Sequence, residues 1–288
     1  MSKIGLIIVC FNSESLIRDC LDSIYRYNDI GNDLDVILVD NNSREQLSFF
    51  QMIRKEYPAE IKLVASAENG GYGKGNNLGA SHTNAPYLIF MNPDVRLVKP
   101  IFTDLIRVFE NNLTVGLIGL SFADGSCPFY FKPEYYTVWN LFRFKSVIKK
   151  TLFNSRQLYL PGSFLMFKYE AFHCVNSFDE NIFLYFEEPD ISNRLQKAGY
   201  EIHWMKELEV FHLTHQRKFN EVLVRFELQS LDYYCQKFNF DRMKVFSQYK
   251  KVNQVKYLIA LLTGNKDKQI FFRGWVRLIN ERMYETNN

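Results

Sequence analysis

The sequence predicts an α/β domain with a mostly parallel central sheet flanked by helices, followed by a basic helical tail. Three observations predict it. The chain opens on the continuous apolar run Ile4-Gly5-Leu6-Ile7-Ile8-Val9-Cys10, the pattern of a parallel strand covered on both faces. Strand-like and helix-like stretches then alternate as far as Met91. Polar or acidic residues follow each strand, at the edge where open α/β sheets bind ligands.

The elements follow in order. Apolar spacing at Leu16, Ile17, Leu21, Ile24 and Tyr25 predicts a helix over 14–27. Asp35 to Val39 reads as a second strand, ended by Asp40-Asn41-Asn42-Ser43. A helix through 45–56 leads to a third strand, Ile61 to Val64. A glycine-rich loop, 69–75, opens a helix near 76–83, and a fourth strand spans 87–91. After residue 100 come a helix over 101–111 and a strand from Val115 to Leu120. Residues 127–157 mix aromatic rings with bases, among them Phe129, Tyr130, Trp139, Phe142 and Arg143. A mobile lid, the wall of a binding site, a membrane-facing patch and ordinary core packing all fit that mixture. Leu158 to Phe167 reads as a strand interrupted at Pro161-Gly162, and Glu188 to Gly199 as a helix with a glycine cap. Tyr200 to Met205 and Glu209 to His212 read as short strands.

Bulk composition narrows the function. The 288 residues are 47% apolar and 23% charged, a globular composition with enough chain for a large core. The net charge of +3 is too small to argue for a nucleic-acid partner. It is unevenly placed: from Lys237 onward eleven bases face four acids, a local +7 on a body of −4. A basic, aromatic terminus of that kind points to an anionic surface as partner. Five scattered cysteines without a C-x-x-C spacing point to a reducing cytosol. No apolar run approaches the roughly 18 residues of a membrane span, so the expected placement is cytoplasmic and peripheral on the inner face of the membrane.

The glycine-rich segment fails the usual nucleotide motifs. It reads Asn69-Gly70-Gly71-Tyr72-Gly73-Lys74-Gly75-Asn76-Asn77-Leu78-Gly79. The dinucleotide fingerprint belongs directly after the first strand, where Phe11-Asn12-Ser13 stands instead, which counts against a nicotinamide oxidoreductase. A Walker loop needs Ser or Thr after its lysine, and Lys74 is followed by Gly75. The segment can still bring backbone N–H groups close to a phosphate, with Lys74 adding charge, or serve only as a turn.

Four other clusters carry chemistry. Phe11 can stack on a base, and Asp40 can accept from a base N–H or a ribose hydroxyl, although Asn12, Ser13, Asn42 and Ser43 are also ordinary helix caps. Asn92-Pro93-Asp94 ends the fourth strand with a carboxylate able to hold a divalent cation against a diphosphate. Glu187-Glu188-Pro189-Asp190 sets paired acids at a helix start, suited either to capping or to a general base, and Asp190 and Arg194 are spaced to pair. His212 and His215 follow a strand, and either is a candidate metal ligand.

In this order the clusters resemble the family-two glycosyltransferases, inverting enzymes of the GT-A fold. The resemblance covers about residues 3–215 and rests on Ile8-Val9-Cys10-Phe11-Asn12, Val39-Asp40-Asn41-Asn42-Ser43, Asn69 to Gly79, Met91-Asn92-Pro93-Asp94, Pro161-Gly162-Ser163, Phe178-Asp179-Glu180 through Asp190, and Arg194. The Asn-Pro-Asp form is most similar to the rhamnosyltransferase branch that builds bacterial O-antigen, capsule or cell-wall glycans.

The resemblance implies a residue-by-residue site. Phe11, Asn12, Asp40, Asn42, Gly71, Lys74, Asn77 and Asn92 would bind the nucleotide. Asp94 would ligate Mn²⁺ or Mg²⁺, with His212 as a second ligand. Glu188, or Glu187, would be the base, and Gly162, Ser163, Asp190 and Arg194 would meet donor or acceptor sugar. Residues 1–98 would form the nucleotide-binding half and 99–236 the acceptor half of one GT-A domain, with 237–288 a basic amphipathic extension. The implied partners are a nucleotide-sugar donor (dTDP- or UDP-linked), a glycan or lipid-linked acceptor, an anionic membrane and, as an oligomer, a homodimer. Two departures stand out: the family's Asp-x-Asp is Asn92-Pro93-Asp94, and its Glu-Asp pair is Glu187-Glu188. They leave open a non-catalytic partner that binds glycan or nucleotide and assists another transferase.

Overall fold

The computed structural model describes residues 2–213 and 218–285. In the first half β1 (Ile4–Cys10), α1 (Glu14–Arg26), β2 (Leu34–Asp40), α2 (Gln46–Glu56), β3 (Lys62–Ala65), α3 (Gly71–Ala80) and β4 (Tyr87–Met91) alternate as the sequence predicts. The short β5 (Val95–Leu97) and α4 (Phe102–Asn111) close it. The second half runs β6 (Val115–Phe122), β7 (Tyr130–Phe131), α5 (Val138–Lys149), β8 (Leu158–Tyr159), β9 (Phe164–Lys168), α6 (Tyr169–Cys174), α7 (Glu187–Lys197) and β10 (Glu201–His212). Three helices follow: α8 (Glu221–Lys237), α9 (Arg242–Leu262) and α10 (Lys266–Tyr284).

Eight strands form one sheet in the order β3-β2-β1-β4-β9-β6-β10-β5. The pairs β3–β2, β2–β1, β1–β4 and β6–β10 are parallel, while β9 and β5 pair antiparallel to their neighbours. The two predicted strands at 200–205 and 209–212 are one strand, β10, with a register shift against β6 between Met205 and Glu209. That bulge is what broke the pattern in two.

The sheet is covered on both faces because its strands alternate apolar residues to each side. Leu6 and Ile8 join α1, α2 and α4 residues such as Ile17, Leu21, Phe49 and Leu105 in one core. Ile7, Val39 and Phe90 join Ala80, Phe172, Phe178 and Ile191 in the other. Each fully buried aliphatic or aromatic side chain there contributes roughly 1.5–3 kcal/mol. Phe129, from the 127–157 segment, belongs to the second core, whereas Trp139 and Phe142 on α5 stand in solvent.

A third core joins α8, α9 and α10 through Val224, Leu228, Tyr234, Phe246, Tyr249, Trp275 and Leu278. The helical unit therefore begins at α8, upstream of the expected boundary at residue 237. Among the described residues no helix is long and apolar enough to cross a membrane.

The glycine-rich segment differs from its expectation. Helix α3 starts at Gly71, so most of the segment is helix. A Cβ on Gly79 would lie 2.4 Å from Ile7 Cγ2, and one on Gly75 would lie 2.8 Å from Val9 Cγ1. These glycines let α3 lie directly on β1 and β2. Gly71 is the exception, with φ +79° and an added Cβ 1.8 Å from the Phe183 carbonyl oxygen.

Candidate active site

Strand direction brings the polar clusters to one edge. β1, β2 and β4 end together at Cys10, Asp40 and Met91, with Cys10 opposite Asp40 in the ladder. β9 runs against β4 and pairs Phe164 with Met91, so Gly162 and Ser163 enter at that same edge. β6 and β10 run with β4, and β5 runs against β10 with Val95 opposite His212. Asp94 and His212 therefore meet at this carboxyl edge, next to the reversal of strand order between β1 and β4 where α/β sheets open a ligand crevice.

On the β1–β2 side Phe11 is 48% exposed. Asn12 and Asn42 both take left-handed φ, at 50° and 64°. The Asn12 N–H donates to Ser43 Oγ at 2.8 Å, and Arg44 N–H donates to Asn12 Oδ1, which stitches the two loops together. Asp40 is buried; its Oδ1 accepts from Ser43 N–H and from Gln46 Nε2. Its buried Oδ2 has no partner among the described residues, where buried polar atoms ordinarily have one.

Asn41 and Tyr72 carry more than the sequence suggested. Buried Asn41 donates through Nδ2 to Asn69 Oδ1 and the Gly71 carbonyl, and accepts from Gly70 N–H. It holds the start of α3 against the end of β2. Tyr72 donates its hydroxyl to the Gly162 carbonyl at 2.7 Å, and its N–H to the Phe183 carbonyl. Both residues lie inside strings that mark the resemblance, but only partners far along the chain give them a role. Lys74 instead pairs with Glu68 at 2.6 Å on an exposed face of α3. Asn77 brackets Phe178, donating to its carbonyl and accepting from its N–H, and so fastens a loop. Asn92 donates its N–H to the Ser163 carbonyl, tying β4 to the lead of β9.

The paired acids open α7. Glu188 Oε1 accepts from Gly162 N–H at 2.8 Å. Glu187 is buried, and burial first, then the neighbouring Glu188 charge, hold its carboxyl well above the usual range. Glu187 thus lies buried, while half-buried Glu188 faces Gly162. Burial and then the Glu188 charge also raise the Tyr72 and Tyr159 phenols. The residues before α7, Tyr185 and Phe186, both have φ 71°. Left-handed backbone in two bulky residues costs on the order of 1–3 kcal/mol each. It is held by Tyr72 N–H on the Phe183 carbonyl and by Ser230 Oγ on α8, which donates to the Leu184 carbonyl. That strain aims the two acids.

Asp190 and Arg194, expected at a sugar, pair with each other in the fold. Asp190 is fully buried and accepts from Arg194 Nε and Nη2, while Lys237 on α8 bridges Asp190 and Asp179 at 2.5 Å. Arg194 also donates to the Val175 and Ser177 carbonyls. The pair pins α7 to α8 because a buried carboxylate must be matched by charge and hydrogen bonds. Ser163, by contrast, stays at the edge with its buried Oγ unpartnered among the described residues.

Asp94 and His212 fit a divalent cation. Asp94 Oδ2 lies 3.5 Å from His212 Nε2, and buried Asp94 Oδ1 has no hydrogen-bond partner among the described residues. Among the described residues no group of three or more His, Cys, Asp or Glu converges on one point. A cation held here would complete its shell with water and donor phosphates, the usual habit of Mg²⁺. His215 lies outside the described residues.

The model of glycosyl transferase family 2 matches residues 6–175. The rhamnosyltransferase WbbL of Escherichia coli is 24% identical over 263 residues, covering 83% of this chain and 97% of its own. The teichoic acid poly(glycerol phosphate) polymerase of Staphylococcus epidermidis is 29% identical over 119 residues, 41% of this chain, and the match spans only 16% of that polymerase. Among solved structures, the mannosyltransferase PcManGT of Pyrobaculum calidifontis, in complex with GDP-Man and Mn²⁺, superimposes with a TM-score of 0.64 at 14% identity over 98% of this chain and 85% of its own.

Proposed function

The chain belongs to glycosyl transferase family 2 and has a GT-A fold, and from that premise we propose that it transfers a hexose, rhamnose or a relative, from a dTDP- or UDP-sugar to a lipid-linked glycan with inversion. The reaction would serve bacterial surface polysaccharide synthesis at the cytosolic leaflet. One observation carries the reading: Glu188, held by Gly162, shares an edge with an orphaned Asp94 carboxylate oxygen beside His212.

The residues divide the work. Phe11 stacks on the base, and Asp40 Oδ2 accepts from the base or ribose. Asp94 and His212 would hold Mn²⁺ or Mg²⁺, which would supply a Lewis acid against charge developing on the diphosphate. The Lys74–Glu68 pair is exposed and worth at most about 1 kcal/mol, so Lys74 is cheaply released to a phosphate. Ser163 Oγ offers a hydroxyl to the sugar or its diphosphate. Glu188 takes the proton of the acceptor hydroxyl as that oxygen attacks the anomeric carbon; the bond to the diphosphate oxygen breaks on the opposite face. General base catalysis of this kind typically contributes about 10²–10⁴-fold.

The test is transfer from a panel of dTDP-, UDP- and GDP-sugars to a polyprenyl-diphosphate saccharide with Mn²⁺, the product's anomeric configuration being read by NMR. Inverted product that disappears in Glu188→Gln is expected. Retained configuration, or full turnover in Glu188→Gln, overturns the mechanism. Donor binding without transfer from any sugar would leave the non-catalytic partner as the better reading.

A further inference from the structure

The tail's positive charge is not spread evenly over its surface. Lys237 binds Asp179 and Asp190, Arg242 and Arg282 share Asp232, and Arg277 pairs with Glu221. Those four cations are neutralised within the fold. Much of the remaining charge lies on elements that meet at Lys256. Its ammonium donates to the Tyr136 hydroxyl at 2.6 Å and sits 5.2 Å from the Tyr136 ring centre and 5.6 Å from that of Phe272. Tyr136 leads into α5, Lys256 is on α9 and Phe272 is on α10, so three helices join at this point.

Exposed apolar side chains radiate from it. Trp139 (70% exposed), Leu258, Ile259 and Ile270 lie within about one helical turn of the junction, and Phe142 and Leu262 (89% exposed) lie within about one turn more. Bases lie on the same elements: Arg143, Lys145, Lys149 and Lys150 are exposed on or just after α5, and Lys251, Lys266, Lys268 and Arg273 are exposed on α9 and α10. Lys149, Lys150, Lys266 and Lys268 are exposed and have no carboxylate partner among the described residues.

We propose that this three-helix face docks on an anionic lipid surface, with Trp139 and the α9–α10 turn entering the headgroup boundary and the lysines meeting lipid phosphates. Charge complementarity selects this partner. The proposal goes beyond the transferase reading, since it requires only the surface itself and its test contains neither donor nor acceptor.

The experiment is flotation of the full chain with phosphatidylcholine vesicles made with and without phosphatidylglycerol. The wild type floats only with the anionic vesicles and is released by salt. Lys266→Ser/Lys268→Ser weakens binding about thirtyfold, at about 1 kcal/mol per base. Trp139→Ser/Leu262→Ser weakens it at least tenfold, while Leu113→Ser, exposed outside this face, floats as wild type does. All variants keep the wild-type Tm, because each site is exposed. Three results overturn the proposal: no preference for anionic vesicles, paired variants that float unchanged, or paired variants that abolish a dimer in sedimentation when the wild type itself does not float.

Discussion

Replacing Gly162 with alanine separates catalytic geometry from folding. Gly162 is not among the residues with positive φ, so alanine costs no backbone strain there. Its Cβ, however, would lie 2.7 Å from Glu188 Oε1 and 3.1 Å from the Tyr72 hydroxyl, where ordinary contact begins at 3.4 Å. Glu188 must withdraw by about 0.7 Å, from 2.7 to 3.4 Å, which stretches its 2.8 Å bond to Gly162 N–H. The nearest clashing atom is at the far end of a flexible side chain, so stability changes little. A misplacement of about 1 Å in a reacting group can cost about 10²-fold. The expected kcat is therefore about 10–100-fold below wild type, roughly 1.4–2.7 kcal/mol on the barrier, with Tm nearly unchanged. The assay is steady-state transfer at saturating donor and acceptor beside a thermal melt. A Gly162→Ala enzyme within twofold of wild type, where Glu188→Gln loses 10²-fold or more, would refute the coupling of Gly162 to the base.

Three further outcomes follow from the same geometry. Glu187 binds its proton more tightly folded than unfolded, so its contribution is whole below the unfolded carboxylate range near ~4.3 and is lost as pH rises through the higher folded value. Glu187→Gln should therefore flatten the fall in Tm between acid and neutral pH, by at most about 1.4 kcal/mol per pH unit; a parallel slope in both proteins would show that Glu187 is not held protonated. Asp94→Asn should weaken Mn²⁺ binding, measured by calorimetry, by at least the ~10–100-fold typical of losing even an outer-shell partner, and should abolish the Mn²⁺-dependent part of donor-induced thermal stabilisation. Gly79→Ala should lower stability to urea by about 1–3 kcal/mol through its clash with Ile7 and Val39, with activity per folded molecule unchanged.

The nucleotide half was legible because its signals are local. Runs such as Ile4–Cys10 and Tyr87–Met91 are buried on both faces, and the turns after them expose polar groups whatever lies elsewhere in the chain. Residues whose role depends on distant partners were not legible. The spacing of Asp190 and Arg194 correctly suggested an ion pair, but nothing local shows that Lys237 lies against it and makes it a fastening. The glycines of α3 read as a phosphate loop because a sequence does not show the branched side chains of Ile7, Val9 and Val39 beneath them. Counting charge beyond Lys237 likewise missed that Asp232, Glu221 and Asp179 absorb part of it.

These long-range contacts also tie the tail to the chemistry. α8 donates from Ser230 to the Leu184 carbonyl, and Phe186 is part of the helical core, so the strained turn that aims Glu187 and Glu188 is braced by the C-terminal unit. α9 packs on that unit through Val245, Phe246 and Tyr249, and carries Lys256 at the junction of the exposed apolar face. Burial first, then neighbouring charge, raises the Tyr159 and Tyr249 phenols; Glu188 and Glu227 act on Tyr159, and Glu227 on Tyr249. On the proposed reaction a lipid-linked acceptor would present its hydroxyl at Glu188 while its chain stayed in the bilayer. A packed assembly, rather than a loose tether, would fix the distance between those two points, and the helical extension would then form part of the acceptor site.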